Sequence, residues 1–107
     1  MHVALYSPAW PLKRHPNGVV TYVHWMREEL RRLGHRVSVF TALLDEPEAD
    51  VHAVEGSLGH RIRSWLRLQD NSTEAYILEW GRRLAATVLS VHRRTPIDVF
   101  EMEESFG

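Results

Sequence analysis

The sequence predicts an α/β fold: a parallel sheet of three to four strands with helices on both faces. Three observations carry this reading. "HVALYS" (His2 to Ser7) and "RVSVFT" (Arg36 to Thr41) are short apolar runs, the form a strand takes when both of its faces are buried. Between them, Val19 to Leu33 repeats apolar residues at helical spacing. The link from that helix to the second strand is short, Gly34 to Arg36, and strand–helix–strand at this spacing is a parallel unit that closes right-handed in nearly all cases.

The elements follow in order. After the first strand, Pro8 to Gly18 holds three of the five prolines and can be neither helix nor central strand. In the helix, Val19, Val23, Met26, Leu30 and Leu33 form one stripe with Tyr22 at its margin. Arg31 and Arg32 suit its carboxyl end, and Gly34 its cap. Trp25 lies opposite the stripe, which reads either as cover by a neighbouring loop or as a partner surface. Ala42 to Asp50 is an acidic loop broken by Pro47, and Val51 to Glu55 forms a short third strand. Asp70 to Arg94 is the clearest helix. Ile77, Trp80, Gly81, Leu84, Val88 and Val91 share one stripe, with Asn71 and Glu74 at capping-box spacing and Gly81 permitting close approach to the sheet. Pro96 stops it, and Ile97 to Met102 is a last strand. The right-handed crossover rule then orders the strands 3-2-1-4, with the first and last adjacent and parallel.

Composition bounds the function. The chain has 107 residues and a formal net charge of −1, so no global field draws nucleic acid. Twelve of its thirteen basic residues are Arg. A G·C-rich coding sequence accounts for that more readily than phosphate recognition does. With no cysteine, disulfides, thiolate catalysis and Cys-ligated zinc are excluded, and the seven histidines lack the spacing of a zinc couple. No apolar run reaches the ~20 residues of a membrane span, and no secretory signal is visible. A cytoplasmic location is therefore expected. The basic amphipathic stretch His60 to Leu68 is a candidate for peripheral contact with an anionic membrane, or simply a solvated face.

Two places carry chemistry. Asn17 and Gly18 stand at a helix start directly after a strand and a loop, the layout of an anion site. The first helical amides have no internal partner, and glycine lets backbone come close to a phosphate. The same dipeptide also makes plain corners. Glu101, Glu103 and Glu104 follow the last strand. Ligands of open α/β sheets bind outside the strands' carboxyl ends, so these acids and the Pro8–Gly18 loop share an edge, where carboxylates could hold sugar hydroxyls or move protons.

The opening "MHVALYSPAWPLKRHPNGVVTYVHWMREELRRLGHRVSVFT" resembles the start of family-4 glycosyltransferases of the GT-B fold. These begin with a strand and a Ser-Pro loop, then a Gly-Gly turn, a helix with Tyr-Val, and a Gly-His-x-Val-x-Val-x-Thr run. Ser7, Pro8, Gly18, Thr21, Tyr22, Val23, Leu33, Gly34, His35, Val37, Val39 and Thr41 match. "PIDVFEMEESFG" is similar to the segment where such enzymes write Asp-Val and then Glu. The family's first turn glycine is Asn17 here.

The resemblance implies a Rossmann-like, acceptor-side half of a two-domain transferase. Asn17 and Gly18 would form the turn that approaches the diphosphate of a nucleotide-sugar donor, and a glycan or lipid would be the acceptor. No cofactor or metal is implied. The donor domain would lie beyond residue 107, so residues 1–107 are expected to be inactive alone and to be marginally folded, molten or self-associated through the last strand. The alternative is a stand-alone α/β binding or interaction module.

Overall fold

The computed structural model describes residues 1–54 and 73–102. Within them run β1 (His2–Ser7), α1 (Gly18–Arg32), β2 (Arg36–Thr41), β3 (Val51–Ala53), α2 (Thr73–Arg94) and β4 (Val99–Glu101). The four strands form one sheet in the order β3-β2-β1-β4, every pair parallel. This is the expected α/β architecture and the expected order. Val3 pairs with Val99, Ala4 with Phe100 and Leu5 with Glu101.

Alternation along β1 divides the core into two layers. Val3 and Leu5 join Val37, Val39 and Val51 under α1, with Val20 and Val23 from the helix. Ala4 and Tyr6 join Phe40 on the opposite face, with Leu84 and Val91 from α2 and Trp80 and Val88 partly covered. Every residue of β1 is buried, as expected of a central strand sandwiched between helices.

Of the expected stripe, Val23 is buried and Val19, Met26 and Leu30 are partly buried against the core. Val20, Val23 and Arg27 are buried, whereas Leu33 is the helix C-cap and 58% exposed. The hydropathy pattern counts Arg27 as polar, but the fold draws its guanidinium inward. Gly34 has φ +91°, and the amides of Gly34 and His35 bond the carbonyls of Arg31 and Leu30 at 2.9 and 3.0 Å. This two-bond closure uses the left-handed residue that glycine supplies without strain.

Gly81 corrects a second expectation. It is exposed, and a Cβ there would meet nothing within 4 Å, so it mediates no close approach to the sheet. Leu84 and Val91 carry that contact. Asn71, the expected helix cap, lies outside the described residues, as do Gly56, Gly59 and the His60–Leu68 stretch.

Two strands are shorter than their apolar runs. The fourth begins at Val99 because side chains take up the residues before it. The Ile97 amide donates to His92 Nδ1 at 2.8 Å, and the Asp98 carboxylate accepts the His2 amide at 2.8 Å. The third ends at Ala53.

Two histidines are built into the sheet. The His2 ring is buried. Its Nδ1 lies 3.0 Å from the Pro96 carbonyl, to which it donates, leaving Nε2 to accept from the Ser38 hydroxyl at 2.7 Å. His52 stacks on Phe40, its ring centroid 5.2 Å away, and its buried Nε2 has no hydrogen-bond partner among the described residues.

Burial pushes the His52 pKa below the ordinary 6.5. Asp50 opposes this, and Arg94, Arg36 and His2 reinforce it. As pH falls through about 6.5 the unfolded chain therefore takes up this proton before the folded one, and stability drops. Urea unfolding at pH 7.5 and 5 should show that loss, and His52→Phe should reduce it. An unchanged pH slope in the variant would remove His52 as its source.

Candidate functional site

The candidate site is the carboxyl edge of the sheet, where the loops after β1 and β2 and the end of β4 lie near the start of α1. Asn17 is the N-cap of α1. Its Oδ1 accepts from the Val20 amide at 3.0 Å, and its carbonyl accepts from the Thr21 amide at 2.9 Å and the Thr21 hydroxyl at 2.7 Å. The cap leaves the amides of Gly18 and Val19 unengaged by it, and at a helix start these point outward along the axis, where the dipole favours negative charge.

Asn17 has φ −150° and ψ 169°, an extended backbone that any residue adopts. The turn therefore does not rely on asparagine's tolerance of positive φ. What matters is the side-chain cap, which a glycine at this position would lack. Gly18 is the first helical residue, and a Cβ there would meet nothing within 4 Å. Packing within the chain does not demand a glycine at this position.

One turn into α1, the Tyr22 hydroxyl donates to Glu101 Oε1 at 2.5 Å. This bond joins α1 to the end of β4. The structure thus brings Asn17, Gly18 and Glu101 to one edge, as the topology rule requires. Glu103 and Glu104 lie outside the described residues. Tyr22, which the sequence marks only as the margin of the apolar stripe, is the residue that couples the two halves of the site.

The proline-rich loop is not a free binding loop. Trp10 is 1% exposed, within the core under α1. Its amide donates to the Leu43 carbonyl at 2.9 Å, and its carbonyl accepts from the Asp45 amide at 3.2 Å. The Trp10–Pro11 peptide is cis. The Trp10 indole N–H donates to Glu48 at 2.8 Å, and the Arg27 guanidinium stands 4.7 Å above its ring, an attractive placement for a cation on an aromatic face. Arg27 closes the triad with a 2.8 Å bond to the other Glu48 oxygen.

Further out, His15 meets Asp45 at 2.7 Å, and Arg14 and Lys13 meet Glu46 at 3.3 and 3.7 Å. Such exposed pairs contribute little individually, but together they fasten the basic loop 13–15 to the acidic loop 45–48. The complementary runs "KRH" and "DEPE" are the sequence signal for this clasp.

Burial pushes the Glu48 carboxyl up. The Trp10 and Arg27 hydrogen bonds, with the charges of Arg27 and Arg31, overcome that and hold it below its ordinary value. Among the described residues no cluster of three His, Asp or Glu is arranged to hold a metal ion, and no helix is long and apolar enough to cross a membrane.

The fold and this edge define the class: an α/β, Rossmann-like unit with a glycine at a helix start and a carboxylate at the same edge of the sheet. No family model, curated protein or solved structure matches the chain.

Proposed function

We propose that the chain is the acceptor-side part of a nucleotide-sugar-dependent glycosyltransferase, whose diphosphate-facing turn is Asn17–Gly18 and whose acceptor edge includes Glu101. The observation that carries this reading is Gly18. It occupies the first helical position, where a Cβ would meet nothing within 4 Å, so packing within the chain gives no reason for a glycine there, and we assign that reason to a ligand. The sequence likeness over residues 1–41 supports the same assignment, as does the Glu101 carboxylate held by Tyr22 at the same edge of the sheet. In this reading the Gly18 and Val19 amides receive diphosphate oxygens and Glu101 accepts from hydroxyls of the acceptor, while transfer itself requires a second, donor-holding domain.

A second reading, a stand-alone binding or interaction module, is favoured by the two separate core layers, one on each face of the sheet. Whether the source reading frame continues past Gly107 into another βα domain discriminates between the two.

The test is Gly18→Ala, made in the full reading frame. Replacing glycine at a helical position with ordinary backbone geometry stabilises by about 0.5 kcal/mol, so urea unfolding should show equal or higher stability. Titration with a panel of nucleotide-diphosphate sugars should show binding weakened about ten-fold or more. Equal binding by variant and parent would defeat the phosphate role. A frame that binds none of these sugars would favour the module.

A further inference from the structure

His52 is the middle residue of β3, a strand of three residues that pairs with β2 alone among the described strands. Its ring lies over Phe40, 29° from parallel. Nε2 is closed off from solvent and meets no hydrogen-bond partner among the described residues. A neutral ring tolerates this position, because the proton can sit on Nδ1 and leave only a lone pair at Nε2. A protonated ring does not. Both nitrogens then carry hydrogen, and Nε2 places an N–H and part of a positive charge where nothing accepts it.

The groups around the ring sharpen the conflict. Arg36 at the start of β2, Arg94 at the end of α2 and His2 of β1 all act on it as like charges. Asp50, just before β3, is the one acid among the described residues that acts in the other direction, and Arg36 already holds its carboxylate at 3.0 Å. Asp50 also has φ +58°, the left-handed region in which a residue other than glycine is strained.

What holds β3 is modest. At its two ends the Val39 amide donates to the Asp50 carbonyl at 2.8 Å, and the Val54 amide donates to the Thr41 carbonyl at 2.9 Å. Three residue pairs join β3 to β2, against six between β2 and β1.

We infer that β3 is an acid-released latch: protonation of His52 frees residues 50–54 from β2 while β1, β2 and α1 stay folded. Opening lets water reach Nε2, takes the imidazolium away from the arginines and relieves Asp50. The freed segment continues the 42–50 loop, and the Val51 amide bonds the Glu48 carbonyl at 3.2 Å. Acid at β3 therefore loosens one end of the loop whose Asp45, Glu46 and Glu48 fasten the proline-rich loop and Arg27. The inference is independent of the transferase reading.

Native-state hydrogen exchange of the 107-residue chain, at pH 7.5 and 5 and in low urea, tests it. Protection factors correct for the direct effect of pH on exchange chemistry. Those of the Val39 and Val54 amides should lie below those of the β1 amides and depend little on urea, the mark of a local opening. From pH 7.5 to 5 they should fall about three-fold or more.

His52→Phe keeps a ring on Phe40 and takes up no proton, so its Val39 and Val54 amides should lose this response. Arg94→Gln, on the exposed last turn of α2, removes a like charge and should weaken the response. It serves should His52→Phe fail to fold by circular dichroism. Val39 and Val54 exchanging with the protection and urea slope of β1, protection that is the same at both pH values, a full response in His52→Phe, or an Arg94→Gln response equal to the parent's would overturn the inference.

Discussion

Trp10→Ala is expected to cost about 3–5 kcal/mol, the range for removing a fully buried large aromatic. A domain of this size has roughly 5–15 kcal/mol in total. The variant should therefore lose most of its margin, with a transition shifted to much lower urea and temperature or no cooperative transition at all. The effect is large because one side chain serves three contacts. It fills the layer under α1, it places the face that Arg27 covers, and its N–H holds Glu48. Trp10→Phe keeps most of the packing and loses the indole hydrogen bond, so it should cost about 1–2 kcal/mol. Equilibrium unfolding of both variants separates the contributions. A Trp10→Ala chain within 1 kcal/mol of the parent would mean that the proline-rich loop is not part of the core.

Glu48→Ala is expected to have the second largest effect, about 2–3 kcal/mol. Arg27 is 6% exposed, and without Glu48 its remaining ionic partner among the described residues is Glu28, at 3.2 Å. Removing one member of a buried pair leaves an uncompensated charge, which is the costly case. The value lies below the range for fully buried pairs because Glu48 itself is half-exposed. Arg27→Met combined with Glu48→Ala removes the stranded charge and should recover part of the loss. If the double variant is as unstable as the sum of the singles, the two residues are not coupled.

Acid has the same target. With its pKa depressed in the folded chain, Glu48 contributes stability that is fully present above its ordinary 4.5 and is lost as pH falls through the lower folded value. The pH profile should therefore fall in two stages, from His52 starting near 6.5 and from Glu48 below 4.5. Glu48→Gln should flatten the second stage only.

The elements that were legible in advance are those whose pattern is local. The bounds of the first two strands match their apolar runs, and Gly34 caps α1 as its position demands. Asn17 and Gly18 stand at the helix start because a strand, a turn and a periodic segment follow one another directly. The coupling of Tyr22 to Glu101 was not legible, since 79 residues separate them and neither type requires the other. Nor was the burial of Arg27, which hydropathy assigns to solvent until an indole and a carboxylate are brought around it by two separate loops.

By itself, then, the sequence determined that this is a parallel α/β unit, which strands are central, how they are ordered, and that an asparagine-capped, glycine-started helix opens at the carboxyl edge. Periodicity and chain connectivity suffice for these, because each depends on neighbours along the chain and on the single hand in which such a unit closes. Only the tertiary structure decided that the proline-rich loop is core, that Gly81 faces open space, and that Arg27 is drawn under Glu48 and onto Trp10. Those outcomes depend on which loops meet and how each helix is rotated. Arg27 lies one residue beyond Met26, about 100° around a helix of 3.6 residues per turn, so a modest rotation of α1 decides whether it joins the buried face without altering the periodic pattern from which the helix is read.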